Sequence, residues 1–145
     1  MLIRSLAAIP IAALLGATPY LLQKPDLLQK PASQEAAQFS VPPKIAALTN
    51  PVHPTPDGMA KAKKMYGYDC AMCHGASGDG KGDMASSQKT PMKDWRDPAA
   101  LKGLTDGDLF YIIQKGKGEM PAEGDRQNDE GIWNMVTLVQ SFAKK

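Results

Sequence analysis

The chain has 145 residues, with two Cys, two His and 17 Lys+Arg against 15 Asp+Glu, a formal charge of +2. That length suits one ordinary domain, or a small domain with a tail; so small a charge argues against a nucleic-acid partner, and two Cys spaced C-x-x-C exclude a disulfide framework. Aromatics are only 6%, and Gly and Pro together exceed their usual share of roughly 12%, so either much of the chain lies outside a packed core or something other than side chains completes that core.

Residues 5–22 form an uncharged run between Arg4 and Lys24. As a helix it would span ~27 Å, the lower edge of a bilayer core. An export signal shares the charged start and apolar centre but normally ends in a small-x-small cleavage site. No A-x-A occurs here; residues 15–17 (Leu-Gly-Ala) come nearest. Pro10 and Pro19 are tolerated in membrane helices. Residues 1–23 are therefore expected to be an uncleaved membrane anchor or, second, a removed signal peptide. Either way the rest of the chain is expected to be exported.

Residues 24–55 hold six prolines among Gln, Ser, Ala and Lys, without a sustained hydrophobic period. Such a composition buries too little apolar surface to offset chain entropy, so it reads as a Pro-rich linker. His53 lies in this stretch and reads as solvated. Order resumes at Thr55, a fit N-cap ahead of Pro56 at the first helical position and Asp57 in the first turn. This helix is expected to run straight into Cys70, with Ala62, Met65, Tyr66 and Asp69 on one face. A second starts at Thr105, which with Asp108 makes a capping-box-like pair; Leu109, Ile112 and Ile113 supply its apolar stripe and Gly116 ends it. A third begins near Asp129, with Ile132, Met135, Val136, Val139 and Phe142 at helical spacing. No alternating strand pattern appears.

The chemistry sits in Cys70-Ala71-Met72-Cys73-His74. Two thiols three apart with a His directly after the second form the attachment signature of c-type haem. Each Cys adds to one vinyl group, and His74 is then held beneath the iron as its proximal ligand. Two other chemistries use such cysteines. A redox dithiol needs no following His and normally sits on a thioredoxin-like βαβ unit; a zinc site needs four ligands, and the other His is in the linker. Trp95 and Arg96 are candidates to hydrogen-bond a haem propionate, being pure donors; equally, Trp95 reads as a partly buried wall and Arg96 as a solvated charge. A backbone carbonyl, from Pro91 or a neighbour, is expected to accept the His74 ring N–H.

Glu119-Met120-Pro121 follows the turn at residues 116–118. A thioether there can reach the far face of a haem held by His74, with Pro121 stiffening the approach. Met84 and Met92 are rivals without that loop context, Met72 lies inside the attachment loop, and an open sixth site is the remaining alternative.

The helix leading into Cys70-x-x-Cys73-His74-Gly75, the Asp106-Gly107-Asp108-Leu109-Phe110 helix start, the Gly116…Met120-Pro121 loop and the Trp133-bearing last helix together resemble the class I monohaem cytochromes c. The resemblance covers residues 56–145. It implies an all-α fold, three main helices around one covalently attached haem c with its iron, preceded here by the hydrophobic helix and the Pro-rich tether. It implies that the first and last helices cross with Ala62 and Tyr66 at the contact, facing Trp133. Leu138 stands where many relatives carry an aromatic.

The implied activity is electron transfer rather than enzyme catalysis: with His74 and Met120 both bound, no coordination position is left for a substrate. The expected partners are an exported or membrane-bound redox donor and acceptor. Lys61, Lys63, Lys64, Lys81, Lys89, Lys93, Lys115 and Lys117 are candidates to meet an acidic partner, or are ordinary solvated surface. Two alternatives stay open: a fixed haem subunit of a larger membrane redox complex, and a gas- or peroxide-binding protein in which Met120 is unbound.

Overall fold

The computed structural model describes residues 39–143. The apolar run at 5–22, read as anchor or signal, and the first part of the linker lie outside these residues. Among the described residues no helix is long and apolar enough to cross a membrane.

The described chain is helical, in the order α1 (Pro43–Ala46), α2 (Pro56–Met65), a π-helical turn (Tyr66–Cys70), α3 (Ala71–His74), short 3-10 turns at Ala85–Ser87 and Pro98–Leu101, α4 (Asp106–Lys115) and α5 (Asp129–Phe142). Among these residues the β-type pairing is a single isolated bridge, Lys117 with Met120. The helix starts follow local chemistry. Thr55 accepts the Gly58 amide at 3.1 Å, with Pro56 at the first position. Thr105 and Asp108 close a full capping box, at 2.9 and 3.0 Å. Asn128 caps α5 by accepting the Gly131 amide at 2.9 Å.

The core forms where α2 and α4 pack on α5. Ala62 and Tyr66 from the first limb meet Leu109, Phe110 and Ile113 of α4 and the buried stripe Ile132, Trp133, Met135, Val136, Leu138 and Phe142 of α5. Phe110 stacks on Trp133 at 4.2 Å between ring centroids, and Tyr66 lies against Phe142 at 5.2 Å. Ile132 and Val136 are fully buried, so the apolar spacing of the last helix corresponds to the face it turns inward.

Two local features differ from the sequence reading. The chain does not run as an α-helix into Cys70 but widens into a π turn over residues 66–70. Gly67, with no side chain and open space beside it, lowers the local helix preference. Meanwhile the Tyr66 hydroxyl donates to the Gly75 carbonyl at 2.7 Å, tying the turn to the far end of α3. Such turns recur at functional sites.

The second difference is in residues 39–55, which lie along the domain instead of behaving as free spacer. Thr105 Oγ1 donates to the Ala46 carbonyl at 2.7 Å and the Gly107 amide to the Leu48 carbonyl at 3.2 Å. Asn50 is the main rivet. Its amide N–H reaches Asp106 at 2.9 Å, and its side chain donates to the Trp133 carbonyl and Thr137 Oγ1, both at 3.0 Å. At Gly107 any Cβ would collide with the Ile45 carbonyl, so the segment can pass that close only over glycine. Proline-rich composition conceals this because the anchors are one side chain and a few backbone groups. Replacing Asn50 with Ala keeps the backbone bond to Asp106 but removes the three side-chain bonds, those to Trp133 and Thr137 and the one accepted from the Val52 amide at 2.9 Å, and strands their partners. The expected loss is about 1–3 kcal/mol, read as a lower denaturation midpoint of the holoprotein at unchanged slope.

Candidate functional site

The π turn and α3 set the spacing of the reactive side chains. Cys70 closes the turn, α3 carries Cys73 and His74, and Gly75 breaks the helix with φ +76°. The segment that follows folds back over α3. The Met72, Cys73 and His74 carbonyls, left open at a helix end, accept the amides of Met84, Gly82 and Gly80 at 2.8, 3.3 and 2.9 Å. The glycine-rich run thus clamps the C-x-x-C-H loop from outside, a role its composition alone does not reveal.

Both thiols are free and half-buried. Burial pushes the Cys70 thiol up to about 12, and the nearby Glu123 and Asp69 carboxylates add to it. This environment favours neutral sulfur over thiolate, which suits a thioether and disfavours a thiolate metal ligand. Among the described residues no group of three or more His, Cys, Asp and Glu side chains converges to hold a metal ion, and His53 is exposed.

Burial pushes the His74 pKa down, so its imidazole is neutral at neutral pH, with a lone pair for a metal. Its ring stacks on Trp95 at 4.1 Å with 19° between the planes. Nδ1 of His74 is buried without a protein partner, so neither the Pro91 carbonyl nor another described acceptor takes its proton. Trp95 is pinned from behind by its own amide, which donates to the Gly78 carbonyl at 2.7 Å. Trp95 is therefore a wall to the His74 ring. Arg96 is exposed and already engaged, donating to Asp94 at 2.9 and 2.7 Å; this pairing holds the Asp94 carboxyl down at about 2.

Met120 sits in a tight loop. Its amide and carbonyl exchange hydrogen bonds with Lys117 at 3.0 and 3.1 Å. Gly116, with φ +74°, makes the turn out of α4, and the returning segment is held to α4 by Glu123 N–H on the Ile113 carbonyl and Gly124 N–H on the Gln114 carbonyl. Met120 is half-buried against the same core cluster that Cys70, Ala71, Trp95 and Leu101 border. The rivals are placed differently. Met72 and Met84 are exposed, at 51% and 47%, and the Met84 backbone is fixed to the attachment loop itself.

Three residues outside the sequence-derived candidates also lie here: Asp69, Glu123 and Arg126, joined in one ion network. The available signal was the charge pair Glu123 and Arg126 just past Met120-Pro121. The donor set as a whole fits a covalently attached haem: two half-buried thiols, a half-buried imidazole with an unused nitrogen, and a half-buried thioether on a restrained loop.

Comparison with known proteins agrees with this chemistry. Residues 57–139 match the sequence model of the family described as cytochrome c oxidase, cbb3-type, subunit III. Cytochrome c6 of Cladophora glomerata is 34% identical over 85 residues, covering 59% of this chain and 89% of the relative. Cytochrome c6 of Parathermosynechococcus lividus is 29% identical over 87 residues, covering 60% and 93%. Among solved structures, a chain of the reducing HAO-like protein complex of Kuenenia stuttgartiensis superposes with a TM-score of 0.57 at 25% identity. That match covers 67% of this chain but only 48% of the other. A c-type cytochrome superposes with a TM-score of 0.50 at 22% identity, covering 56% and 95%, a likeness of fold.

Proposed function

Because the chain belongs to the c-type cytochromes, in the family described as cytochrome c oxidase, cbb3-type, subunit III, whose cofactor is covalently bound haem c with its iron, we propose that it is a monohaem electron carrier with His74 and Met120 as axial ligands. When bound, haem c supplies an iron that alternates between Fe(III) and Fe(II). The protein's part is to fix it and close it off. Cys70 and Cys73 hold it by thioethers, and the surroundings that keep Cys70 neutral match that bond. His74 presents a neutral imidazole that Trp95 covers on one face. Met120, on a loop tied to α4, would give its thioether as the second protein ligand, and a thioether ligand favours the reduced iron and raises the potential. With both positions filled, water and small ligands are kept off the metal and only an electron is exchanged.

The observation that carries this reading is that Met120 is half-buried against the Cys70-bordered cluster on a restrained loop, whereas Met72 and Met84 are exposed and Met92, also half-buried, does not pack on that cluster. The test is carbon monoxide added to the reduced protein. The spectrum is expected to stay unchanged over minutes; prompt formation of an adduct would mean an open sixth position and a ligand-binding protein.

The reading extends to the parts outside the described residues. Residues 1–23 serve as anchor or signal and residues 24–55 as the stretch joining them to the domain at 56–145, on the exported side of a membrane. The donor and acceptor are redox proteins. A second reading, a fixed subunit of a membrane redox complex, is favoured by the family's description as an oxidase subunit. Size-exclusion of the full chain in mild detergent separates the two: a monomer supports the carrier, and co-elution with other subunits supports the complex.

A further inference from the structure

The ion network beside the donor set has a geometry that the ligands alone do not require. Glu123 is 2% exposed, an unusual place for a carboxylate. Its Oε1 is paired with Arg126 Nη2, and its Oε2 is buried without a partner among the described residues. Arg126 uses its other nitrogen, Nη1, to reach Asp69 Oδ1 at 3.1 Å, across 57 positions of sequence.

The two ends of this bridge are the important ones. Asp69 immediately precedes Cys70 in the π turn. Glu123 lies three residues beyond Met120, and its amide donates to the Ile113 carbonyl at 3.0 Å while its carbonyl accepts the Arg126 and Gln127 amides, both at 3.0 Å. One guanidinium therefore joins the loop that carries the thioether to the turn that carries the first attachment cysteine. On its outer edge the loop has a further tie, the Lys89 amide to Glu119 at 2.8 Å, a contact exposed like that of Arg126 with Asp69 but reaching the segment beyond α3 and not the Cys70 turn.

A buried carboxylate with one partner is poor evidence for net stability, since its desolvation offsets the attraction. Its effect is on placement: Glu123 holds Arg126, three residues further along the same loop, so that its other nitrogen meets Asp69, and moving the loop off the Cys70 turn breaks that contact while the Glu123–Arg126 pair travels with the loop.

We propose that Asp69, Arg126 and Glu123 form a positioning clasp that holds the Met120 loop against the Cys70 turn and so keeps the Met120 thioether on the iron. The proposal rests on the His74/Met120 reading. An external ligand reaches the oxidised iron only in the fraction of molecules whose Met120 has left, so its apparent affinity scales with that fraction. Weakening the clasp raises the fraction and tightens the external ligand without touching the ligand's own contacts.

The experiment titrates imidazole into the oxidised full-length holoprotein, following the near-infrared band of the Met–iron bond, in wild type, Arg126→Gln and Asp69→Asn. Arg126→Gln is expected to bind imidazole about tenfold more tightly and Asp69→Asn a few-fold more tightly. The same changes made on a Met120→Ala background are expected to have no effect, because nothing is left to displace. Asp69→Asn keeps the Glu123–Arg126 pair, so it remains informative if Arg126→Gln does not fold. Affinities within about twofold of wild type for the clasp variants, or equal shifts with and without Met120, overturn the clasp while leaving the ligation intact. A wild type that lacks the band, and whose imidazole affinity Met120→Ala does not alter, overturns the ligand assignment itself and the clasp with it.

Discussion

A chain in which Cys70 and Cys73 are both serine is expected to carry no haem through a denaturing gel, whereas the wild type stains for haem under the same conditions. Serine oxygens are nearly isosteric but do not form the thioethers, so this substitution removes the covalent bonds with little change in shape. The effect reaches the fold. The packed core gathers on one side of the domain, where α2 and α4 meet α5, while Cys70, Trp95, Leu101 and Met120 remain only half-covered at its border. A domain of this size buries only about 60–65% of its unfolded surface and has a total stability of about 5–15 kcal/mol. Losing the apolar body that those border residues would face is expected to consume most of it. Circular dichroism melts of the double variant should show a broad transition displaced far below that of the holoprotein, or none. Haem staining retained on the gel would contradict the assignment of both cysteines.

The second large effect is expected from Met120→Ala. Removing the thioether should abolish the near-infrared band and lower the reduction potential. The fall is expected to be on the order of 0.1–0.2 V, within the roughly 0.8 V range over which axial ligands set haem potentials. Covalent attachment should survive, because Cys70, Cys73 and His74 sit on α3 and its preceding turn, and the core stripe of α5 does not depend on the loop. A potentiometric titration checks the size of the fall. A variant with unchanged potential and an unchanged band would remove Met120 from the iron. Since Met84 is exposed at 47% with its backbone fixed to the attachment loop, it is not expected to take over.

What could be read in the sequence was chemistry of short range. The C-x-x-C-H spacing states a covalent requirement within five residues, and the caps at Thr55 and at Thr105 with Asp108 state theirs within four. The stripe from Ile132 to Phe142 needed only helical periodicity to identify a buried face. What could not be read depends on partners far along the chain. Asn50 looks like one more polar residue in a Pro-rich stretch, yet it binds the Trp133 carbonyl 83 positions away. Glu123 reads as a solvated loop residue, and only the fold shows that it is buried and paired with the exposed Arg126. The π turn coincides with the Tyr66 hydroxyl reaching Gly75 and with a glycine at 67, a combination that a helix propensity does not contain. Trp95 fits both a propionate donor and a wall as far as sequence goes, and its stacking on His74 is visible only once the glycine-rich segment has folded back over α3.

The near-infrared absorption of the oxidised, purified holoprotein tests the central claim most directly. The account predicts the weak band of a Met–Fe(III) bond together with a low-spin spectrum, and a low-spin c-type spectrum after reduction. A high-spin oxidised spectrum without that band would contradict it, leaving His74 as the one axial ligand from this chain and an iron open to small molecules.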